Sequence, residues 1–247
     1  LSVEPSYLHQ DREHIVFNRT LFGQNFPSDI FDPDRLIQQG QVTEYASGRG
    51  QTIMFFWQGH EFVLRHYFRG GAVARLVKDL YLQVPGRKNR AWAEWFVLMK
   101  LYQQGLPVPQ PVAARVVKYP GCYRADLLTQ RITAAQPLSR VLTENPLPAT
   151  RWQTIGQTVA RFHAAGVWHA DLNAGNILLS EEQVYLLDFD RARFSASTNF
   201  RANLRRLQRS FEKIARRNPV FHYQPSDFEQ LMTGYLDFFN SELVPSL

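Results

Sequence analysis

The feature that most constrains this chain is a change of hydrophobic period near residue 130. Before it, β-rich runs dominate. Residues 43–46 and 51–57 read as two strands joined by Ser47-Gly48-Arg49-Gly50, a hairpin signal, and residues 61–67 follow as a third. One helix interrupts the strands. Over residues 90–104 Ala91, Trp92, Trp95, Phe96, Leu98, Met99 and Tyr102 recur at helical spacing, and Gly105 with Pro107 ends the run. Asp32-Pro33 reads as a capped start of a shorter helix that Gly40 stops. The stiff stretch 107–111 leads to strands over 112–117 and 125–132. Beyond Ala134 the pattern becomes helical, over 150–165, 203–217 and 227–239, with a small hairpin over 176–187. These patterns predict an α+β fold, with a sheet-rich N-terminal lobe over 1–129 and a helical C-terminal lobe over 130–247.

Composition narrows the function classes. The 45% hydrophobic and 13% aromatic content of 247 residues is ample for a packed core and excludes disordered, collagenous and coiled-coil classes. No apolar run approaches the roughly 18 residues of a membrane span, and the N-terminus reads without a secretory signal. The single cysteine, Cys122, fits a reducing cytosol. Lysine and arginine number 28 against 22 acids, so anionic partners are favoured: nucleic acid, anionic lipid or phosphorylated small molecules. No nucleic-acid-binding signature accompanies the charge, so nucleic acid is not expected as a partner, nor is an obligate protein partner.

The chemistry concentrates in His169-Ala170-Asp171-Leu172-Asn173-Ala174-Gly175-Asn176, followed after a hairpin by Leu187-Asp188-Phe189-Asp190. This order resembles the catalytic loop and metal-binding segment of the protein-kinase-like fold. Phosphoryl transfer from ATP needs a hydroxyl held in line with the γ-phosphate and Mg2+ to neutralise developing charge. Asp171 is suited to orient the hydroxyl and accept its proton. The Asn176 amide and the Asp188 carboxylate are hard oxygen ligands for Mg2+. Each of these residues alone also suits an ordinary turn, and His169 reads as a residue that orders the loop through backbone hydrogen bonds.

Upstream segments extend the resemblance. Gly48, Arg49 and Gly50 match a shortened glycine loop over the ATP phosphates, although a plain hairpin turn has the same composition. Arg65, in Val63-Leu64-Arg65, stands where the family pattern has lysine; arginine grips phosphate as a fork, with Lys78 in reserve. Glu94 occupies the helix position of the glutamate that pairs with this cation, or is a solvated helix residue. Gln130, Arg131 and Ile132 would be the crossing segment whose backbone bonds adenine. Val63 and Leu178 would be the apolar faces above and below the ring.

The pattern departs from protein-phosphorylating kinases. Ala170 replaces the arginine that reads a phosphorylated activation loop, Asp190 replaces glycine, and no Ala-Pro-Glu follows. Closer matches are Arg65-His66-Tyr67-Phe68-Arg69-Gly70-Gly71, Gly105-Leu106-Pro107-Val108-Pro109, Tyr123-Arg124-Ala125-Asp126-Leu127-Leu128 and Arg161-Phe162-His163. With the catalytic loop they resemble the lipopolysaccharide kinase group of Gram-negative bacteria over nearly the whole chain. That resemblance implies a two-lobed fold with an ATP cleft between the lobes. It also implies transfer of the γ-phosphate of ATP to the 4-hydroxyl of 3-deoxy-D-manno-octulosonic acid (Kdo) on a Kdo-bearing lipid A precursor, at the cytoplasmic face of the inner membrane. A heptose kinase of the lipopolysaccharide core, or another kinase of the same fold, is the alternative. Arg201, Arg205, Arg206, Arg209, Lys213, Arg216 and Arg217 make the following helix basic and amphipathic, suited to an anionic membrane surface or to plain solvation. Arg69, Lys78, Arg87 and Lys88 are the cations considered for the acceptor.

Overall fold

Two strands precede everything the sequence pattern marks. In the computed structural model, which describes residues 2–46, 52–68, 79–83, 89–194 and 200–242, β1 (Pro5–Gln10) and β2 (Glu13–Asn18) form an antiparallel hairpin. The short helices α1 (Arg19–Phe22) and α2 (Pro33–Gln38) follow. The Asp32 side chain accepts from the amides of Asp34 (3.1 Å) and Arg35 (3.2 Å), and Pro33 takes the first turn where a missing N–H costs nothing. Next come β3 (Val42–Ala46), β4 (Thr52–Trp57), β5 (His60–His66) and β6 (Tyr81–Leu82). The helix α3 (Arg90–Gln103) starts at Asn89, whose side chain accepts from Trp92 N at 2.8 Å, and ends before Gly105 in the left-handed region (φ 71°). The strands β7 (Pro111–Tyr119) and β8 (Cys122–Gln130) complete one antiparallel sheet, ordered β1-β2-β7-β8-β5-β4-β3 with β6 beside β8 among the described residues.

Alternation along the strands separates the two faces of this sheet. Phe62, Leu64, Ala113 and Leu128 pack with Phe26, Ile30, Phe31 and Leu36, which the segment before and through α2 lays over one face. On the other face the buried side of α3, Ala91, Glu94, Trp95, Leu98 and Leu101, packs against β7 and β8. Glu94 is the one charged residue in that stripe.

After residue 133 the helices take over. The elements are β9 (Gln136–Pro137), α4 (Leu138–Glu144), α5 (Ala149–Ala164), β10 (Val167–Trp168), β11 (Ile177–Leu179), β12 (Val184–Leu186), β13 (Arg193–Phe194), α6 (Phe200–Arg217) and α7 (Pro225–Glu242). The helices α5 and α7 meet through glycine. A Cβ on Gly156 would run into the backbone of Leu231, and one on Gly234 into the backbone of Gln153. Trp152 on α5 sets its ring edge-on to Phe211 of α6 at 5.3 Å, and Phe211 stacks on Tyr223 at 5.1 Å. The packing groups the chain into two units, Leu1–Gly105 with Pro109–Thr133, and Leu106–Val108 with Ala134–Leu247. The short Leu106–Val108 stretch belongs with the helices because Leu186 N donates to Pro107 O at 3.1 Å.

Candidate active site

The loop carrying Asp171 is built by its own side chains. Asn173 caps the turn Ala174–Asn176, accepting from Gly175 N (2.8 Å) and Asn176 N (3.2 Å). Its amide nitrogen, and that of Asn176, both donate to the backbone carbonyl of Asp171 at 2.9 Å. With that nitrogen engaged, the amide oxygen of Asn176 is the atom left to face a cation. The hairpin β11–β12 then pairs Ile177 with Leu186, and Leu187 N donates to Asn176 O at 2.9 Å, one rung further. Asp188 follows directly, with its backbone in the left-handed region at φ 61°. Aspartate tolerates that conformation better than most residues, and it turns the chain immediately after the ladder ends.

His169 fastens the two segments. Its Nε2 donates to Leu187 O at 2.8 Å, and its Nδ1 accepts from Asp171 N at 3.1 Å. These two bonds specify the neutral tautomer with the proton on Nε2. Burial lowers the His169 pKa, against the opposing pull of the Leu187 carbonyl, Asp188 and Asp171. Phe189 is buried, edge-on to His169 at 5.0 Å and stacked on Phe162 at 5.7 Å. The aromatic residue between Asp188 and Asp190 is thus an anchor in the core.

Nothing in the local sequence ties the next layer, behind the loop, to it. Asn203 of α6, 1% exposed, accepts from His169 N at 3.0 Å and donates to His169 O at 2.7 Å. His163 Nε2 donates to the same Asn203 oxygen at 3.3 Å, while the Tyr235 hydroxyl donates to His163 Nδ1 at 2.9 Å. Burial drives the His163 pKa down to about 4. Ser210 Oγ accepts from Ala174 N at 3.2 Å, and Arg206 Nη1 donates to Asp171 Oδ1 at 2.7 Å. The helix expected only to present cations outward therefore also grips the loop.

The sheet unit holds the other predicted pair. Arg65 on β5 is ion-paired with Glu94 on α3, and the Tyr67 hydroxyl joins them, accepting from Arg65 Nη2 at 2.9 Å and donating to Glu94 Oε2. The Arg65 guanidinium lies over the Tyr67 ring, 4.7 Å from its centroid. Burial holds the Tyr67 pKa well above 10, with the Arg65 charge opposing.

Among the remaining predicted residues, Val63 lies on β5 beside Arg65, and Leu178 lies on β11, both half-buried. Gln130 N donates to Gln110 O (3.0 Å) and Arg131 N to Glu61 O (2.9 Å), so both amides are engaged within the sheet unit. The Arg131 side chain reaches Glu44 and Glu61. Ile132 follows just beyond β8. Gly48, Arg49 and Gly50 lie outside the described residues, as do Arg69, Lys78, Arg87 and Lys88. Two runs singled out in the sequence meet elsewhere. His66 pairs with Asp126 across β5 and β8, and the buried Asp126 carboxylate binds His66 (2.6 Å) and Arg115 (2.9 Å). They line a cavity of about 530 Å3 with Phe68 and Arg124, within the sheet unit.

Two oxygen donors at a hairpin end, Asn176 and Asp188, are the donor chemistry that suits Mg2+ carrying water and phosphate as its other ligands. Among the described residues, no group of three or more His, Cys, Asp or Glu side chains stands ready to hold a metal. The fold is similar to a solved structure of WaaP in complex with acyl carrier protein. The TM-score is 0.52 and the identity 18%, over 83% of each chain. Architecture and loop order are those of an ATP-dependent phosphotransferase of the protein-kinase-like fold. Residues 34–235 match the lipopolysaccharide kinase (Kdo/WaaP) family. A 3-deoxy-D-manno-octulosonic acid kinase of Haemophilus influenzae (strain PittEE) is 38% identical over 92% of this chain and 97% of its own. One from Vibrio parahaemolyticus serotype O3:K6 is 41% identical over 82% of this chain and 85% of its own. The chain belongs to the lipopolysaccharide kinase (Kdo/WaaP) family.

Proposed function

We propose that this chain transfers the γ-phosphate of ATP to the 4-hydroxyl of Kdo on a Kdo-bearing lipid A precursor. The observation that carries the site is the Asn176 side chain bonded to Asp171 O at the root of the hairpin leading to Asp188. The acceptor rests on likeness to relatives named for Kdo. In this reading Asp171 orients the hydroxyl and takes its proton. The sugar oxygen forms a bond to the γ-phosphorus, the bond from that phosphorus to the β–γ bridging oxygen breaks, and ADP leaves. Asn176 and Asp188 would hold Mg2+, which neutralises charge on the phosphates. Arg65 would grip the phosphates, oriented by Glu94, with Val63, Leu178 and the backbone around Ile132 beside the adenine.

The exposed side of α6 supports a peripheral position at the cytoplasmic face of the inner membrane. Arg201, Arg205, Arg209 and Lys213 recur every fourth residue, all exposed, and Glu212 is the only acid in the helix. Each cation at an anionic surface contributes about 1 kcal/mol. No helix among the described residues is long and apolar enough to cross a membrane.

The test is a phosphotransfer assay with ATP and Mg2+, offering Kdo-bearing lipid A precursor, a heptosylated core acceptor or no acceptor, with the new phosphate located by mass spectrometry. Phosphate on the Kdo 4-hydroxyl supports the proposal. Phosphate on heptose alone would make the chain a heptose kinase.

A further inference from the structure

We infer that Arg206 is a positioning residue for the phosphoryl transfer proposed above, holding Asp171 by one carboxylate oxygen so that the other faces the acceptor hydroxyl. The inference rests on that proposal for its reaction, and on the geometry of α6 for its substance.

The helix contacts the catalytic loop at three positions of one face. Asn203 holds both backbone groups of His169, Arg206 holds the Asp171 carboxylate, and Ser210 holds Ala174 N. These positions stand at i, i+3 and i+7, so they share one side of a helix. Asn203, buried, and Ser210, half-buried, flank Arg206 and set the register of α6 on the loop. The place of Arg206 is therefore decided by its neighbours, and its own ion pair is not needed to put it there.

Bonds from within the loop leave the carboxylate unconstrained. Asn173 and Asn176 both donate to the Asp171 backbone carbonyl, whereas Arg206 Nη1 reaches Oδ1. The torsion that turns an aspartate carboxylate is broad and roughly two-fold, so without an outside grip either oxygen can face the acceptor. Both partners are about half exposed, 49% for Arg206 and 56% for Asp171. Ion pairs so exposed add little to folding stability, and a fold-stabilising role does not explain the pair. Phosphoryl transfer is mostly positioning and charge stabilisation, so fixing which oxygen of Asp171 faces the acceptor bears directly on the rate.

The test is steady-state kinetics with ATP and Kdo-bearing lipid A precursor. The chains compared are wild type, Arg206→Gln, Arg206→Lys, Asp171→Asn and the Asp171→Asn/Arg206→Gln double variant. Arg206→Gln is expected to lower kcat about 10- to 100-fold, the scale of a misplaced catalytic group. The KM for ATP and the melting temperature should stay as in wild type, and Arg206→Lys should recover part of the loss. The double variant should be no slower than Asp171→Asn, because Arg206 acts through a carboxylate already gone. Wild-type kcat in Arg206→Gln overturns the inference. So does an equal slowing in the Asp171→Asn background, or a rise in acceptor KM with kcat intact, either of which makes Arg206 act without Asp171. If the wild-type chain phosphorylates no acceptor, the proposed function itself falls, a different result from normal transfer in Arg206→Gln.

Discussion

Arg65 and Glu94 are ion-paired across 29 residues of chain, with Glu94 only 2% exposed on the inner stripe of α3. A carboxylate there is costly unless compensated, and Arg65 with the Tyr67 hydroxyl supplies the compensation. Removing Glu94 leaves a partly buried guanidinium without its carboxylate. Glu94→Ala is expected to lower stability by about 3 kcal/mol. Such a loss lowers the melting temperature by about 6–12 °C in a chain of this size. In the proposed role the KM for ATP rises as well. Calorimetry and ATP titration check both, and an unchanged melting temperature contradicts the compensation argument.

Asp171→Asn keeps the size and the backbone bonds of the loop but removes the carboxylate proposed to accept the proton. Turnover should fall by about 100- to 10,000-fold while ATP affinity is retained. Asp188→Ala removes a carboxylate proposed to hold Mg2+ and should weaken nucleotide binding only when Mg2+ is present. Isothermal titration with and without Mg2+ separates the two, and full turnover in Asp171→Asn removes that residue from its role.

At the crossing of α5 and α7 the backbones approach too closely for a methyl group on Gly156 or Gly234. Overpacking typically costs about 1–3 kcal/mol, and here the obstruction is rigid backbone, so Gly156→Ala should reach at least the upper part of that range. Because α6 packs on α5 through Trp152 and Phe211, the loop it braces should lose activity at a lower temperature too. Urea unfolding of Gly156→Ala and Gly234→Ala measures this directly; wild-type midpoints would mean that the helices part without cost.

His163 and His169 are both held neutral by burial, with the His163 pKa at about 4. In the unfolded chain each returns to the ordinary histidine value, near 6.5. Between those values the unfolded state binds protons that the folded state refuses, so stability is complete above pH 6.5 and is lost as pH falls. For His163 the loss reaches about 3 kcal/mol by pH 4. Carboxylates also titrate in this range, so the informative quantity is the difference between wild type and His163→Gln. That difference should shrink from pH 7 to pH 4.5; a constant one would show that His163 is not protonated on unfolding.

The chain by itself determined the local chemistry. Asp171, Asn173 and Asn176 lie close enough in sequence for their own side chains to close the loop, so a short motif carries its geometry with it. The capped starts at Asp32, the stop at Gly105 and the hairpin before Asp188 were equally legible, because caps and turns depend on neighbouring residues. The strands β1 and β2 were not, since their hairpin takes its place through the pairing of β2 with β7, about 100 residues away. Nor was the second role of α6. A basic amphipathic helix has the same periodicity whether its polar residues meet solvent, a membrane or a catalytic loop. Only the tertiary structure put Asn203 on His169 and Arg206 on Asp171. Helical period decides which residues share a face, and packing decides what that face meets.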